Sequence, residues 1–426
     1  MHSLRYRIRH FSTRLSMSWY EIPSGVRRIL LFVAVAGLTP WLTITSFDIA
    51  NYVVGAEQIL TGNSVYDPQI PSLVDDRFVP SYPYLPSFAM ILAVGIAPFF
   101  VLYEVGLLPG GIYEVIARQI TNGTGYVALL GVPLVAHYAM SVSTLHSRTE
   151  RDVDIDWMFW GILILALAPP LWFQVVESGS DTLVALLVLL GVYAVMRDRW
   201  LLAGVFVGTA TFKFTALPLA AVLALYALQQ GRKQFVSVAL GGLGSQLPNL
   251  LYFAVFVEDF LFVLERRGAM SLYSGETRSI VTAPFRAMGL EQWYIDVGFF
   301  ISLLIFITLG AVVARRRDNL VLGFAVAYLA TSYFAPVGEI NASVLVVLLL
   351  FEAAVNFHRR QVRYLAAGLL TVEIYGFIFH FRLIDYVSVL PFPWRAAVLQ
   401  GLEFGAISIT LVGLIYFSDH RRLQPR

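Results

Sequence analysis

The residue best placed for acid–base chemistry is Asp48, in the stretch Phe47-Asp48-Ile49-Ala50-Asn51-Tyr52. This stretch directly follows a strongly apolar run over residues 29–45. A carboxylate at the edge of a membrane can act as a general base in a partly dry site, because its surroundings set its pKa. The alternative is a solvated acidic residue that marks the end of a helix.

A group of arginines has the chemistry to bind phosphate. They lie in the polar stretch 258–294, as Arg266, Arg267, Arg278 and Arg286. A guanidinium pairs with phosphate oxygens in a bidentate way, so these side chains can clamp a phosphate that is linked to a lipid. The alternative is that they pair with Glu265 and Glu276 or with lipid headgroups.

Ionisable residues also interrupt the apolar runs. Lys213 lies between two short apolar segments, 200–212 and 214–228. A lone lysine inside a membrane needs a partner or water, unless its ammonium group snorkels to the outer interface. The other ionisable residues within apolar runs are His137, Glu352, Glu373 and Glu403. We expect a structural role for Glu352, near a span end, whereas Glu373 and Glu403 either pair within the bundle or meet substrate.

The elements that position these residues must be membrane-spanning helices. Hydrophobic residues make up 58% of the 426 residues and charged residues only 14%, against about 25% charged residues in a soluble domain. The apolar residues form continuous runs of the length that a helix needs to cross the hydrocarbon core. The sequence therefore predicts an all-α, polytopic helical bundle that forms a single membrane domain over residues 1–426. Twelve spans are predicted, at 29–45, 124–145, 157–176, 181–196, 200–212, 214–228, 235–257, 295–314, 320–336, 342–357, 364–381 and 396–417.

The basic residues predict the topology of these spans. Arginine-rich clusters precede the first span, follow the last, and recur near residues 148–151, 197–199, 232–233, 315–317 and 359–363. Such clusters face the cytoplasm. Twelve spans place all of them on that side, with both termini cytoplasmic, and the plasma membrane is the expected location.

One apolar segment, 86–108, is left over by this count. If it crossed the membrane, every later basic cluster would change sides, so we predict that it is re-entrant, tilted or interfacial. The alternative is that it spans and that one of the short halves of 200–228 does not. Two long outer regions follow from this topology, at 46–123 with interfacial helices and at 258–294. Function usually lies in long loops, which favours the non-cytoplasmic face.

Several function classes are disfavoured by what the sequence lacks. The chain has no cysteine, which excludes disulfides and thiolate chemistry. Its short arginine clusters lie between apolar runs and do not form a nucleic-acid surface. The sequence contains no P-loop, no Rossmann fingerprint, no Asp-x-Asp metal motif and no zinc-type histidine spacing. We therefore expect neither a cofactor nor a metal.

The first outer region carries the motifs of a known family. Asp48 is followed by Tyr52, by Gly62-x-x-x-Tyr66, and then by Tyr82-Pro83-Tyr84-Leu85-Pro86 at the start of the next apolar segment. This pattern resembles the polyprenyl-phosphate-sugar-dependent glycosyltransferases of the GT-C fold, and most of all the mannosyltransferase-type group of glycosyltransferase family 87. The resemblance is best over residues 45–100. It implies that Asp48 is the catalytic base and that Tyr52, Tyr66, Tyr82 and Tyr84 contact substrate.

Later parts of the chain fit the same family in places and depart from it in one. Glu177 and Asp181 lie at an outer turn where GT-C proteins often carry a polar residue. Gly208…Lys213…Pro218 is similar to a family pattern. The resemblance therefore implies substrate-binding roles for Glu177, Asp181 and Lys213. The family often carries a histidine-rich segment late in the chain. The matching segment here, Ser332-Tyr333-Phe334-Ala335-Pro336, contains no histidine, and the nearby Glu339 can supply a polar contact instead.

These observations predict an inverting membrane glycosyltransferase. It would move a sugar, mannose by resemblance, from a polyprenyl-phosphate donor to a glycan or glycolipid acceptor, among membrane lipids and without nucleic acid. Arg266, Arg267 or Arg278 would stabilise the leaving phosphate. A secondary transporter or a lipid-linked-sugar flippase is the alternative, because broken helices with charged residues occur there too. A non-catalytic membrane scaffold is a third possibility.

Overall fold

The computed structural model describes residues 47–66, 85–145, 180–263, 288–334, 343–357, 359–372 and 392–418. All regular secondary structure within these ranges is helical, which confirms the prediction of an all-α chain. We number the helices α1 (Phe47–Thr61), α2 (Pro86–Glu104), α3 (Gly110–Leu145), α4 (Ser180–Met196), α5 (Trp200–Ala210), α6 (Leu217–Gln230), α7 (Arg232–Ser245), α8 (Leu247–Val255), α9 (257–263), α10 (Gln292–Arg317), α11 (Leu320–Leu329), α12 (Ser343–Val355), α13 (360–372) and α14 (Phe392–Phe417).

Helix lengths agree with the apolar runs at most positions. Three stretches of the described chain are long and apolar enough to cross a membrane, by length and composition: Pro86–Glu104, Arg232–Val255 and Asp296–Arg317. The predicted span 124–145 is the second half of a longer helix, because α3 has 36 residues and begins at Gly110. The predicted spans 29–45 and 157–176 lie outside the described residues.

The leftover apolar segment forms one continuous helix, α2, with Pro98 inside it. Its 19 residues extend about 28 Å at about 1.5 Å per residue, close to the thickness of the hydrocarbon core. The expectation that this segment is re-entrant, tilted or interfacial stays a prediction, as does the division into two outer regions within a single membrane domain.

One local break in the α-helix lies at the predicted boundary between spans 200–212 and 214–228, and two others lie within the predicted spans 235–257 and 320–336. Between α5 and α6 the chain makes a turn and a short 3-10 helix, Phe214–Ala216. Gln246 separates α7 from α8, and α11 continues into a π-helical turn over Ala330–Phe334. Hydrogen bonds connect the first break to each of the other two: Gln246 Nε2 donates to the Gly208 carbonyl oxygen at 2.7 Å, and Thr331 Oγ1 donates to the Thr215 carbonyl oxygen at 3.1 Å. The breaks in α-helical geometry therefore lie together as one layer of the bundle, the layer of breaks.

Glycines bring two helices into direct backbone contact near this layer. A Cβ atom added to Gly204 of α5 would lie 2.2 Å from the Val238 carbonyl oxygen of α7. A Cβ atom added to Gly241 of α7 would lie 2.1 Å from the Leu201 carbonyl oxygen. Small residues permit this close approach, and van der Waals contact then drives association of helices in lipid.

The four basic clusters that the structure describes lie at the opposite end of the bundle. Trp200, beside Arg199, packs on Tyr226 with ring centroids 6.2 Å apart, and Tyr226 Oη donates to Asp318, beside Arg317, at 2.8 Å. The loop before α5 and the first turns of α5 and α7 line a common cavity that includes Arg199 and Lys233. Arg359 completes this end by donating to the Phe417 carbonyl oxygen at 2.8 Å. This clustering is what the charge pattern predicts.

Buried polar contacts hold the basic end together. Asn319 caps α11, with Oδ1 accepting from the Leu322 backbone N–H at 3.1 Å. The Asn356 side chain donates to Glu352 Oε1 at 2.8 Å, and Glu352 also bonds to Asn319. Glu352 thus joins helix ends far from the layer of breaks, and this agrees with the structural role expected for it.

Candidate active site

The central feature of the layer of breaks is a buried ion pair. Lys213 Nζ lies 2.6 Å from Asp181 Oδ1, and the two residues are 4% and 1% exposed. Asp181 is in the first turn of α4, and Lys213 is in the turn that follows α5. The sequence analysis gave both residues substrate-binding roles without pairing them. The Lys213 ammonium group thus has the partner that a lysine in an apolar run needs, and its depth relative to the outer interface stays a prediction.

The local sequence explains why the chain breaks at Lys213. Helix α5 ends at Ala210, where Thr211 Oγ1 donates to the Gly208 carbonyl oxygen at 2.7 Å. Pro218 stands in the first turn of α6, where its missing N–H needs no partner. The 11 residues of α5 and the 14 of α6 extend about 16 and 21 Å, less than the roughly 30 Å of a hydrocarbon core. Lys213 therefore lies between two helices that are each too short to cross the hydrocarbon core.

The side-chain amides of Gln246, directly before α8, and Asn249, in α8, hold this turn in place through hydrogen bonds. Gln246 donates to the Gly208 carbonyl oxygen at 2.7 Å and to Thr211 Oγ1 at 3.1 Å. Asn249 Nδ2 donates to Gln246 Oε1 at 2.9 Å, while Asn249 Oδ1 accepts from the Ser87 backbone N–H at 2.8 Å. Sequence reasoning missed both residues, although Gln246-Leu247-Pro248-Asn249 is a polar interruption in an apolar run. Together they fix the start of α2 against the Lys213 turn.

Aromatic contacts extend the site to α1. The Leu85 backbone N–H donates to the Phe212 carbonyl oxygen at 3.1 Å, and Phe88 stacks on Phe212 with centroids 4.6 Å apart. Tyr52 meets Phe88 edge to face at 5.2 Å and is fully buried. Asp48 is in the same helix, one turn before Tyr52. The fold thus joins the helix that carries Asp48 to the turn that carries Lys213.

The turn after α1 is anchored on α8 and α9. Ser64 Oγ donates to both carboxylate oxygens of Asp259, at 2.8 and 2.7 Å, and Tyr252 Oη donates to Asp259 Oδ2 at 2.5 Å. Tyr66, predicted to contact substrate, is buried and packs on the rings of Tyr252 and Phe262. These contacts join the beginnings of the two predicted outer regions.

The π-helical turn closes the site on the side of α14. Tyr328 Oη donates to Thr215 Oγ1 at 3.2 Å, and Tyr333 packs edge to face on Phe404 at 5.3 Å. Glu403 interacts electrostatically with Tyr333, which lies on a neighbouring element within the bundle.

A second carboxyl group lies on α1, towards α3. Tyr113 Oη donates to Glu57 Oε1 at 2.8 Å. Burial raises the pKa of Glu57, the Tyr113 hydrogen bond opposes that rise, and the negative charge of Glu114 adds to it. Burial also raises the pKa of Tyr113. Glu57 is therefore a carboxyl group that binds its proton more tightly than a solvated glutamate.

The remaining predicted site residues lie outside the described part of the chain: Tyr82, Tyr84, Glu177, Arg266, Arg267, Arg278 and Glu339. Asp48 lies in the first turn of α1. Within the described residues no three His, Asp or Glu side chains form a group that could hold a metal ion.

These features describe a helical membrane protein with a buried charged pair at a break in its helices. Residues 115–337, just over half of the chain, match the model of "Glycosyltransferase family 87". The chain belongs to glycosyltransferase family 87. The predicted family is thereby confirmed, although the match begins after residues 45–100, where the resemblance was best.

The other comparisons add one structure. No curated protein matches the chain. The solved structure "Crystal Structure of ArnT from Cupriavidus metallidurans in the apo state" is similar with 16% identity and a TM-score of 0.36, over 93% of this chain and 78% of that chain.

Family membership decides between the predicted classes of function. The chain is a membrane glycosyltransferase of the GT-C type. The transporter, flippase and scaffold alternatives do not describe this family.

Proposed function

We propose that this glycosyltransferase transfers mannose from a polyprenyl-phosphate donor to a hydroxyl of a glycan or glycolipid acceptor, on the non-cytoplasmic face of the plasma membrane. The observation that carries the proposal is the buried Asp181–Lys213 pair, which is tied through Phe212 and Phe88 to Tyr52 on the helix of Asp48. Catalysis of sugar transfer needs a base for the acceptor and positive charge for the leaving phosphate, and this arrangement supplies both on connected elements.

The reaction is a single displacement. The acceptor oxygen attacks the anomeric carbon, and the bond from that carbon to the phosphate oxygen breaks. The acceptor proton passes to the Asp48 carboxylate, the bonding electrons leave with the polyprenyl phosphate, and the anomeric configuration inverts. The phosphate gains negative charge in the transition state, so cations fixed beside it lower the barrier.

Lys213 is suited to that electrostatic role. Asp181 holds its ammonium group in place before the reaction, and a cation that is already oriented in a water-poor site needs little reorganisation in the transition state. Arg266, Arg267 and Arg278 are further cations for the phosphate. Glu177 and Glu339 are acceptors for sugar hydroxyls, with Tyr82 and Tyr84 at the entry to α2.

The test is transfer of sugar from synthetic polyprenyl-phosphate-mannose to a panel of acceptors by purified protein. We expect Asp48→Asn to lower the rate by about 10²- to 10⁴-fold, the usual contribution of a general base, without changing the melting temperature. The matched control is Asp296→Asn, at an exposed aspartate near the start of α10, which should keep full activity. Full activity of Asp48→Asn would refute the role of Asp48, and no transfer by the wild type with any donor sugar would refute the donor class.

A further inference from the structure

Among the residues that the structure describes, Thr182 and Ser332 each carry a buried hydroxyl group with no hydrogen-bond partner. Thr182 Oγ1 and Ser332 Oγ belong to residues that are 2% and 6% exposed, and no described residue bonds to either atom. Buried side-chain hydroxyls are paired in the large majority of cases, because an unpaired one destabilises the fold. These two atoms therefore call for a partner other than the described part of the protein.

Both hydroxyls belong to elements that contact the Lys213 turn. Thr182 follows Asp181 directly in the first turn of α4. Ser332 follows Thr331, whose hydroxyl donates to the Thr215 carbonyl oxygen two residues beyond Lys213. Ser332 is also part of the π-helical turn Ala330–Phe334, and such turns are frequent at functional sites. Two elements that contact the Lys213 turn, α4 through Asp181 and the π-helical turn through Thr331, thus each carry an unpaired hydroxyl.

We propose that Thr182 and Ser332 bind hydroxyl groups of the transferred sugar and determine which sugar is accepted. The inference rests on the proposed function and adds specificity-determining residues to it. A sugar hydroxyl donates one hydrogen bond and accepts others, as serine and threonine hydroxyls do. Each protein hydroxyl can therefore pair with one of the sugar, and the ion pair beside them fixes the position of the leaving phosphate.

The experiment compares the variants Thr182→Val and Ser332→Ala with wild type in the transfer assay. The donors are polyprenyl-phosphate-mannose and analogues that lack one sugar hydroxyl at a time. We expect each variant to lose about 10- to 100-fold in kcat/KM with the complete sugar, the effect of one lost buried hydrogen bond. One deoxy donor should then be used equally well by wild type and that variant, because both have already lost the same bond.

The melting temperature separates recognition of sugar from support of the fold. Because each variant removes an unpaired buried group, its melting temperature should equal or exceed that of the wild type. The matched control is Thr410→Val, since the Thr410 hydroxyl is buried but already donates to the Ala406 carbonyl oxygen at 2.9 Å. Thr410→Val should keep the wild-type preference among donors.

Each contrary result has a defined meaning. Wild-type activity of both variants with every donor would overturn this inference and leave the proposed function standing. A lowered melting temperature with an equal loss of activity for all donors would also overturn it, because the hydroxyls would then support the fold. A wild type that transfers no sugar would overturn the proposed function, and this inference with it.

Discussion

At the scale of single residues, the pairing of Asp181 with Lys213 is informative because burying two charges is unfavourable. Desolvation offsets most of the attraction between them, so an apolar pair of similar size would stabilise a fold as well or better. Both side chains are nevertheless almost fully buried. The burial of this pair is consistent with the proposed role of Lys213, which needs an oriented ammonium group.

The first residue-scale prediction concerns the separation of stability from activity in this pair. Lys213→Met leaves the aspartate without its counter-ion and should lower the free energy of unfolding by about 3–5 kcal/mol. The double variant Lys213→Met with Asp181→Leu should regain most of that stability and still transfer no sugar. Thermal unfolding in detergent and the transfer assay measure the two effects. A double variant with wild-type activity would show that the ammonium group has no part in catalysis.

The second residue-scale prediction concerns Glu57 and pH. Its raised pKa means that the folded state holds the proton more tightly than the unfolded state. The stability from this proton is complete below the ordinary pKa of 4.5 and is lost as pH rises through the higher folded-state pKa. Glu57→Gln keeps an acceptor for Tyr113 without the charge, so it should match wild type at pH 4 and exceed it at neutral pH by at most about 1 kcal/mol.

Melting temperatures of wild type and Glu57→Gln between pH 4 and pH 8 test this prediction. Glu104→Gln, at an exposed glutamate, is the control and should follow the wild type throughout. A pH-independent difference for Glu57→Gln would mean that the protonation of Glu57 is not coupled to folding.

Sequence reasoning found individual residues of the site better than their relations. Lys213 stood out because charge in an apolar run is rare, and Asp181 through the family resemblance, but their pairing depends on how α4 and α5 pack. Gln246 and Asn249 were missed because an uncharged amide in an apolar run gives a weak signal. Thr182 and Ser332 gave none, since small hydroxyl residues are common in membrane helices.

At the scale of helices, the α5–α7 contact determines how firmly the Lys213 turn is held. Gly204 and Gly241 allow two backbones to touch, and Gln246 at the end of α7 bonds to the last turn of α5. Apolar runs predicted the positions of these helices well. They marked the break at Lys213, where a charge separates two apolar segments, but not those at Gln246 and after Leu329. Hydropathy is the same for straight and interrupted helices, and a break depends on local hydrogen bonds.

The element-scale prediction is that a methyl group at this contact separates the helices. Gly204→Ala should lower the stability by about 1–3 kcal/mol, because the added carbon meets fixed backbone atoms. It should also lower transfer activity. The matched control is Gly244→Ala in α7, where an added Cβ has no neighbour within 4 Å. That control should be neutral or stabilising by up to about 1 kcal/mol, and equal losses in both variants would contradict the packing argument.

At the scale of the whole molecule, the basic residues and the site lie at different levels of the bundle. Contacts among Trp200, Tyr226 and Asp318 bring the basic clusters beside them to one end, while the ion pair and the three breaks lie away from that end. For the four clusters that the structure describes, this separation agrees with the charge pattern, which depends only on the number of crossings between clusters. The path of the chain through 67–84 and 264–287 lies outside what the structure describes.

The whole-molecule prediction is one of sidedness. The chain has no cysteine, so single cysteines can be labelled without background. Met288→Cys, before α10, should react with a membrane-impermeant maleimide added to intact cells, because we propose that this end faces outward. Gln229→Cys, at the exposed end of α6, should react only after permeabilisation. The reverse pattern would place the site on the cytoplasmic face and refute the proposed orientation.

The positions of the two ion-pair partners also bear on how the protein is made. Asp181 lies in α4 and Lys213 follows α5, so a growing chain delivers the acid to the bilayer before its counter-ion exists. Until α5 and the turn after it emerge from the ribosome, α4 is a helix with an unmatched charge and is poorly suited to leave the translocon alone. We expect α4 and α5 to enter the membrane together, and a chain that stops near residue 199 to be removed by quality control before it assembles.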